Sequence, residues 1–412
     1  ATGPENINGK VNEFIQQNEN LHIIGIDRGE RHLLYLTVID LQGHIKEQYS
    51  LNEIINEYKG TQYKTDYHSL LSKREDERQK SRQDWKTIEN IKDLKEGYLS
   101  QVVHKISELM LKYQAIVVLE DLNTGFKRGR QKVESSVYQQ FEKMLIDKLN
   151  YLANKKIAPS EMGGVLHAYQ LTNKFDGFKK MGKQNGFLFY IPAWNTSKID
   201  PVTGFVNLFD TRYETREKTK DFFAKFKSIR YNEAQGWFEF AFDYNDFTTK
   251  AEGTQTEWTV CTYGNRIETF RDPAQNSQWV SQEVNLTEAF KLFFDSYNIA
   301  FDSNLQEAIA NQNSAEFYKR LLYLFKLTLQ MRNSVTGTDI DYMQSPVKDA
   351  QGQFFNSQTC SSELPENADA NGAYNIARKG LYYVRLIKES NDLKNLKLSI
   401  TNKEWLQFVQ TK

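Results

Sequence analysis

The stretch IIGIDRGERHLLYL, residues 23–36, decides how the rest of the chain is read. A run of strand-forming aliphatics breaks on Asp27, passes through Arg28 and Gly29, and resumes as a second apolar run. A carboxylate that closes an apolar strand is costly to desolvate unless a metal, a cation or hydrogen-bond donors meet it. Three readings compete at this point: an Asp that opens a β-turn helped by Gly29, a phosphate-binding loop, and a metal-binding acid at a strand end. The remaining carboxylates have to decide among them.

Length and composition set the outer limits. A chain of 412 residues can hold two or three domains, and 53 basic against 53 acidic residues leave no net charge. Neutrality argues against a protein that merely coats nucleic acid, while leaving room for local basic grooves. The two cysteines, Cys261 and Cys360, form no Cys-x-x-Cys pair, so neither a disulfide framework nor a cysteine zinc site is expected. No run reaches the apolar length of a membrane span and no signal peptide precedes the first strand, so a cytoplasmic protein without a membrane partner is expected. The opening Ala-Thr-Gly-Pro lacks a Met and suggests a fragment or a processed chain.

Residues 23–28, 33–40 and 44–51 predict three consecutive strands with short polar breaks. From about Tyr67 to Tyr113 the pattern turns helical. Its first half, LLSKREDERQKSRQDWKTI, is densely charged around a single Trp85, whereas YLSQVVHKISELMLKY carries an apolar face at helical spacing. Then AIVVLEDLN reads as a short buried strand ending on Glu120 and Asp121, followed by a helix near 135–155 and a strand in GFLFYIPA. Three strands, helix, strand, helix, strand is the order of a ribonuclease-H-like α/β domain. Residues from about Trp194 to Leu364 differ in texture, rich in Phe, Tyr, Asn and Thr with two helices expected near 285–330, and read as an inserted domain. ENADANGAYNIARKGLYYV then places Asp369 at the mouth of an amphipathic helix whose buried face is Ala373, Ile376, Ala377 and Leu381; taken alone, Asp369 could be no more than an N-cap.

Together the acids discriminate. Two-metal phosphodiester hydrolysis needs several carboxylates from separate chain segments, because magnesium demands oxygen ligands and a metal pair must hold both the attacking and the leaving oxygen. Asp27 on the first strand, Glu120 at the end of the fourth and Asp369 at a late helix start fit that need. A kinase-type phosphate loop predicts a glycine-rich counterpart in the second half, and Gly163-Gly164, the one double glycine, lacks the acidic context such a loop uses.

IGIDRGERHL, GYLSQVVHKI, VVLEDLN, FKRGRQKVE, YQQFEKMLIDKLNYL, TSKIDPVTGFVN, LQMRNS and NADANGAYNIARKG, in that order, resemble the carboxy-terminal nuclease lobe of the type V-A CRISPR effector endonucleases, the Cas-twelve-a family. The resemblance runs from about residue 11 to the end. It implies a RuvC-like domain split into three segments, at 1–62 with a short lead-in, 84–193 and 365–412, with a bridge helix at 63–83 and an inserted α+β Nuc domain at 194–364. It implies that Asp27, Glu120 and Asp369 are the catalytic, metal-holding acids, and that two Mg2+ ions, replaceable by Mn2+, are the cofactors. Arg332 matches the Nuc arginine, with Ser334 and Asp341 nearby in matching motif positions, and Trp85 matches a tryptophan that anchors into the recognition lobe of the same protein. The implied partners are guide RNA and target DNA in the complete effector, with inhibitor proteins a further class. Both DNA strands would be cut, and the lobe by itself would lack guided targeting.

Each carried-over residue has a plainer reading. Trp85 in a polar helix could cap a local cluster, although a large aromatic amid charge suits an interface. Arg332 could be half of a structural ion pair with Asp341, or its guanidinium could stabilise phosphate charge. Lys127, Arg128, Arg130 and Lys132 form either a solvated loop or a phosphate-contacting lip. In small transposon-encoded relatives of this nuclease a segment comparable to TSKIDPVTGF carries zinc-binding cysteine pairs; here Asp200 and Thr203 stand near where they would be, so no zinc is expected. Two other functions stay open: a transposase or junction resolvase of the same fold, and a non-enzymatic fragment that captures a partner.

Overall fold

A computed structural model describes residues 4–28, 33–67, 69–70, 73, 91–121, 132–178, 181–275, 277–335 and 338–411. The chain forms two compact units, Ala1–Trp194 with Gly372–Ile400 and Asn195–Asn371 with Thr401–Lys412. Among the described residues no helix is long and apolar enough to cross a membrane.

The first unit opens with helix α1 (Pro4–Gln17) and strands β1 (His22–Asp27), β2 (Tyr35–Ile39) and β3 (Ile45–Ser50). The hairpin β4 (Glu53–Tyr58) and β5 (Thr61–Asp66) follows, then α2 (Ile91–Tyr113), β6 (Ala115–Glu120), α3 (Lys132–Asn150), β7 (Gln184–Asn185) and β8 (Leu188–Ile191). Six of these strands make one sheet in the order β3-β2-β1-β6-β8-β7. The first three are antiparallel neighbours, whereas β1, β6 and β8 run parallel. This mixed sheet suits a ribonuclease-H-like α/β fold; its main strands come in the expected order, with the unexpected hairpin β4–β5 added after the third and the short β7 before the last. The segment assigned by resemblance to a bridge helix differs at its start: residues 63–66 belong to β5, where Thr61, Tyr63 and Thr65 favour extended backbone, and residues 74–83 lie outside the described residues.

Both faces of β1 are covered, which is why its sequence is apolar without alternation. Side chains of successive strand residues point to opposite faces. Ile24 and Ile26 of β1 and Val117 and Leu119 of β6 share a core with Leu99, Val102 and Ile106 of α2 and Phe141, Leu145 and Leu149 of α3. Ile23, Gly25 and Asp27 therefore face the other way, as do Val118 and Glu120.

In the second unit the strands β9 (Ser228–Asn232), β10 (Trp237–Asp243) and β11 (Glu257–Cys261) form one antiparallel sheet, and β12 (Asn265–Asp272) pairs with β13 (Gln278–Asn285) as a long hairpin. A third sheet joins β14 (Arg332–Ser334), β15 (Asp341–Lys348) and β16 (Phe354–Asn356). The helices are α4 (Arg216–Ala224), α5 (Leu286–Ser296), α6 (Leu305–Ala310) and α7 (Ala315–Thr328), so the region near 285–330 holds three helices where two were expected. The extra break falls at Asn304 and Ser314, whose side chains cap α6 and α7. Phe209 lies at the centre of an aromatic core, with the rings of Phe222, Phe242, Tyr244, Phe247 and Phe325 all within 5.5 Å of it.

The long helix α8 (Ala368–Glu389) follows, and α9 (Asn402–Gln410) opens on a capping box made by Thr401 and Glu404. From Gly372 onward α8 belongs to the first unit and covers the sheet face that α2 and α3 leave free. A Cβ on Gly25 would lie 2.2 Å from the Ala373 carbonyl oxygen, and one on Gly380 would lie 2.4 Å from Val118 Cγ2. Helix and sheet thus touch backbone to backbone at Gly25, which only glycine allows.

A candidate nuclease centre

β1 and β6 pair in parallel with Gly25 opposite Val118, and continuing that register by two residues sets Asp27 beside Glu120 at the carboxyl ends of adjacent strands. Asp27 is 8% exposed, and its Oδ1 accepts a hydrogen bond from the Arg28 backbone N–H at 2.8 Å. Its Oδ2 looks onto α8, where a Cβ on Gly372 would fall 2.0 Å away. Glu120 holds the Arg28 guanidinium, with Arg28 Nη2 3.7 Å from Oε2. That distance is an ion pair without a good hydrogen bond. The guanidinium also lies 4.8 Å from the centroid of the Tyr138 ring on α3. Burial pulls the Arg28 pKa down, opposed by Glu120, Tyr138, Asp27 and Glu142.

Asp121, next along the chain, donates its backbone N–H to the Ile191 carbonyl at 2.7 Å and pairs with Lys183 at 2.6 Å. It is thereby tied into the sheet end. Lys379 of α8 is 1% exposed, and its Nζ donates to the carbonyls of Pro192 and Trp194, both at 2.6 Å. Burial brings its pKa down to about 7, with the Glu120 carboxylate opposing.

In the second unit Arg332 pairs with Asp369, not with Asp341: Arg332 Nη2 lies 3.1 Å from Asp369 Oδ1. Asp341 stands opposite Ser334 in the β14–β15 ladder. Arg332 owes its position to its neighbours. Asn333, fully buried, accepts the Ile267 N–H at 2.8 Å, and Gln330 donates to the Ile267 carbonyl at 2.7 Å, so β14 is pinned to β12 on either side of the arginine. Asp369, fully buried, is the second residue of α8 and not its cap. Asn367 caps instead, its Oδ1 accepting the Ala370 N–H at 2.8 Å, while Asn371 donates to the Ile199 carbonyl at 3.0 Å. Trp85, Lys127, Arg128 and Arg130 lie outside the described residues.

Sequence reasoning passed over Arg28, Glu142, Gly372 and Lys379 as site residues. Two of them carried a readable signal. Glu142 shares a helical face with Leu145, Ile146 and Leu149, and Lys379 falls three residues after Ile376 and four before Tyr383, so each charge sits on an apolar stripe.

The donors suit a hard divalent cation: a buried carboxylate, Asp27, and a half-buried one, Glu120, at strand ends, with a cradle beside Asp27 that a single methyl on Gly372 would fill. Among the described residues no three His, Cys, Asp or Glu side chains are already drawn together as a metal-binding group. Arginines meet the carboxylates instead. The family model described as RuvC nuclease domain matches residues 1–412.

Proposed function

From membership of the RuvC nuclease domain family, to which the chain belongs over its whole length, we propose that it hydrolyses DNA phosphodiesters with Mg2+, as the nuclease lobe of a type V-A CRISPR effector. Nucleases of this family generally use divalent metals. The observation that carries the proposal is the placing of Asp27 and Glu120 at the carboxyl ends of parallel neighbours, with Asp27 set against α8. Asp27, Glu120 and Asp369 would hold the ions, and Mn2+ could replace Mg2+. The ions when bound would supply charge stabilisation for the attacking and leaving oxygens.

The chain's own residues have distinct tasks. Gly372 keeps room beside Asp27, Lys379 holds the exit of β8 through two carbonyls, and Arg332 offers a forked cation to a phosphate. Guide RNA pairing would read the target, and the strand reaching the centre would be single-stranded when cut. Trp85 would anchor the recognition lobe, and the basic loop with Lys127, Arg128 and Arg130 would contact the nucleic-acid backbone. The domain limits follow the same resemblance: RuvC-like segments at 1–62, 84–193 and 365–412, a bridge helix within 63–83 and a Nuc insertion at 194–364.

The test is guided cleavage of a matched DNA duplex by the full effector carrying Asp27→Ala or Glu120→Ala. Loss of cutting on both strands with target binding retained is expected. Unchanged cutting by either variant would remove that residue from the centre, and preferential cleavage of branched junctions without guide RNA would point to a resolvase.

A further inference from the structure

Beside Glu120, against α3, lies a small, partly open space of about 20 Å3 lined by Ile26, Arg28, Leu119, Glu120, Tyr138, Phe141 and Glu142. Two carboxylates and one guanidinium therefore line the same space. Glu120 has Arg28 at 3.7 Å. Glu142 is 9% exposed, and its Oε1 is buried with no hydrogen-bond partner among the described residues. A carboxylate oxygen left bare inside a protein is costly, and such sites call for a functional reason. Burial, opposed by the Tyr190 hydroxyl and the Arg28 guanidinium, pushes the Glu142 carboxyl up.

We propose that Arg28 is a displaceable counter-cation of Glu120 and that Glu142 is the acceptor it moves to when a divalent cation takes Glu120. The inference rests on the reading of Glu120 as a metal ligand and adds the residues that make way for the ion. A cation approaching Glu120 meets a competing positive charge, and repulsion at a few ångströms is strong where water is largely excluded. Arg28 has a short path of escape. Its guanidinium already lies against the Tyr138 ring, a surface along which a planar cation slides at little cost, and the bare Glu142 oxygen lines the same space. Arg28 Nη2 stands 3.7 Å from Glu120 Oε2, beyond a good hydrogen bond, whereas the Glu142 Oε1 accepts no hydrogen bond among the described residues and would gain a charged donor. In this arrangement Arg28 and Glu142 are positioning residues: they act on the ion only through Glu120.

The experiment is Mn2+ binding to the full chain, read as free Mn2+ by electron paramagnetic resonance, with thermal melts to confirm folding. Arg28→Met should tighten binding about tenfold, the size expected for removing one partly buried competing charge. Glu142→Gln should weaken it, and should do so only while Arg28 is present; in the Arg28→Met background it should change nothing. Should Arg28→Met fail to fold, Arg28→Lys, which keeps the charge but not the planar fork, should give a weaker dependence on Glu142 than Arg28 does. Binding that depends on Asp27 but ignores Arg28 would overturn the proposal alone. Equal, additive effects of Glu142→Gln in both backgrounds would also overturn it, since simple electrostatics would then suffice. Binding untouched by Asp27→Ala would overturn the metal-centre reading and the proposal with it.

Discussion

Gly372 and Asp27 touch so closely that no other residue fits between them: a Cβ on Gly372 would stand 2.0 Å from Asp27 Oδ2. Gly372→Ala must push the carboxylate aside. Nuclease activity is expected to fall by about two orders of magnitude, as a displacement near 1 Å typically costs, while the fold survives because the clash is with a side-chain end. Single-turnover cutting beside a thermal melt checks this, and wild-type rates would show that Asp27 is free to move.

Gly25 makes the opposite prediction. Its Cβ would strike the Ala373 carbonyl oxygen at 2.2 Å and the Ala377 nitrogen at 2.6 Å, both backbone atoms that α8 cannot withdraw singly. Gly25→Ala should cost about 3 kcal/mol of stability or more. Gly9→Ala, on α1 with nothing within 4 Å of its Cβ, should add about 0.5–1 kcal/mol. Denaturant midpoints of the two variants should bracket the wild type.

Arg332 tests what the second unit contributes. With Asp369 rather than Asp341 as its partner, Arg332→Ala should slow cutting by about two to three orders of magnitude if the guanidinium also meets phosphate. Arg332→Lys separates the causes: partial rescue indicates charge alone, none indicates forked positioning. Wild-type rates on both strands in the Ala variant would leave Arg332 as a purely structural residue.

Lys379 gives stability a pH dependence of known sign. Its pKa in the folded chain, about 7, lies below the roughly 10.4 of an unfolded lysine, so between these values the unfolded chain holds the extra proton. Stability should rise with pH across that window, by at most about 1.4 kcal/mol per pH unit from this group. Lys379→Met should flatten the rise. An identical slope in wild type and variant would mean that Lys379 keeps its proton when buried.

Asp200 predicts the reverse trend in the acid range. It is fully buried, accepts the N–H groups of Val202 at 2.8 Å and Thr203 at 3.1 Å, and burial pushes its carboxyl up. The folded chain binds the proton more tightly, so this residue removes stability as pH climbs above about 4. Asp200→Asn retains an oxygen acceptor without the charge and should be at least as stable at pH 7. A clearly lower melting temperature would show that the carboxylate is needed.

What could be read from residues alone was the part governed by short-range pattern. The strands around Asp27 and before Glu120 are runs of β-branched and aliphatic residues ended by acids, and the structure puts them side by side. Arg332 was legible as a residue to watch but not in its pairing, because Asp341 lies nine positions away while Asp369 is brought near only by the fold. The plainer reading of Asp369 as an N-cap could not be set aside from sequence, since Asn367 and Asp369 are both good caps and only geometry selects Asn367. Gly372 was invisible for another reason. A glycine inside a helix is locally unfavourable, and what it accommodates is a side chain from about 345 residues earlier in the chain.

That separation has a bearing on how the protein is made. Strands β1, β6 and β8 are complete once Ile191 has left the ribosome, yet the helix that covers their second face starts at Ala368, about 180 residues later. At roughly 5–20 residues per second the interval is on the order of ten to forty seconds. Throughout it, Ile23, Val118 and the bare backbone at Gly25 are without α8, while most of the second unit, residues 195–367, is synthesised. The nascent sheet is therefore a client for chaperones during translation, and an arrest at about residue 367 should yield a sticky, half-covered intermediate that a longer nascent chain no longer shows.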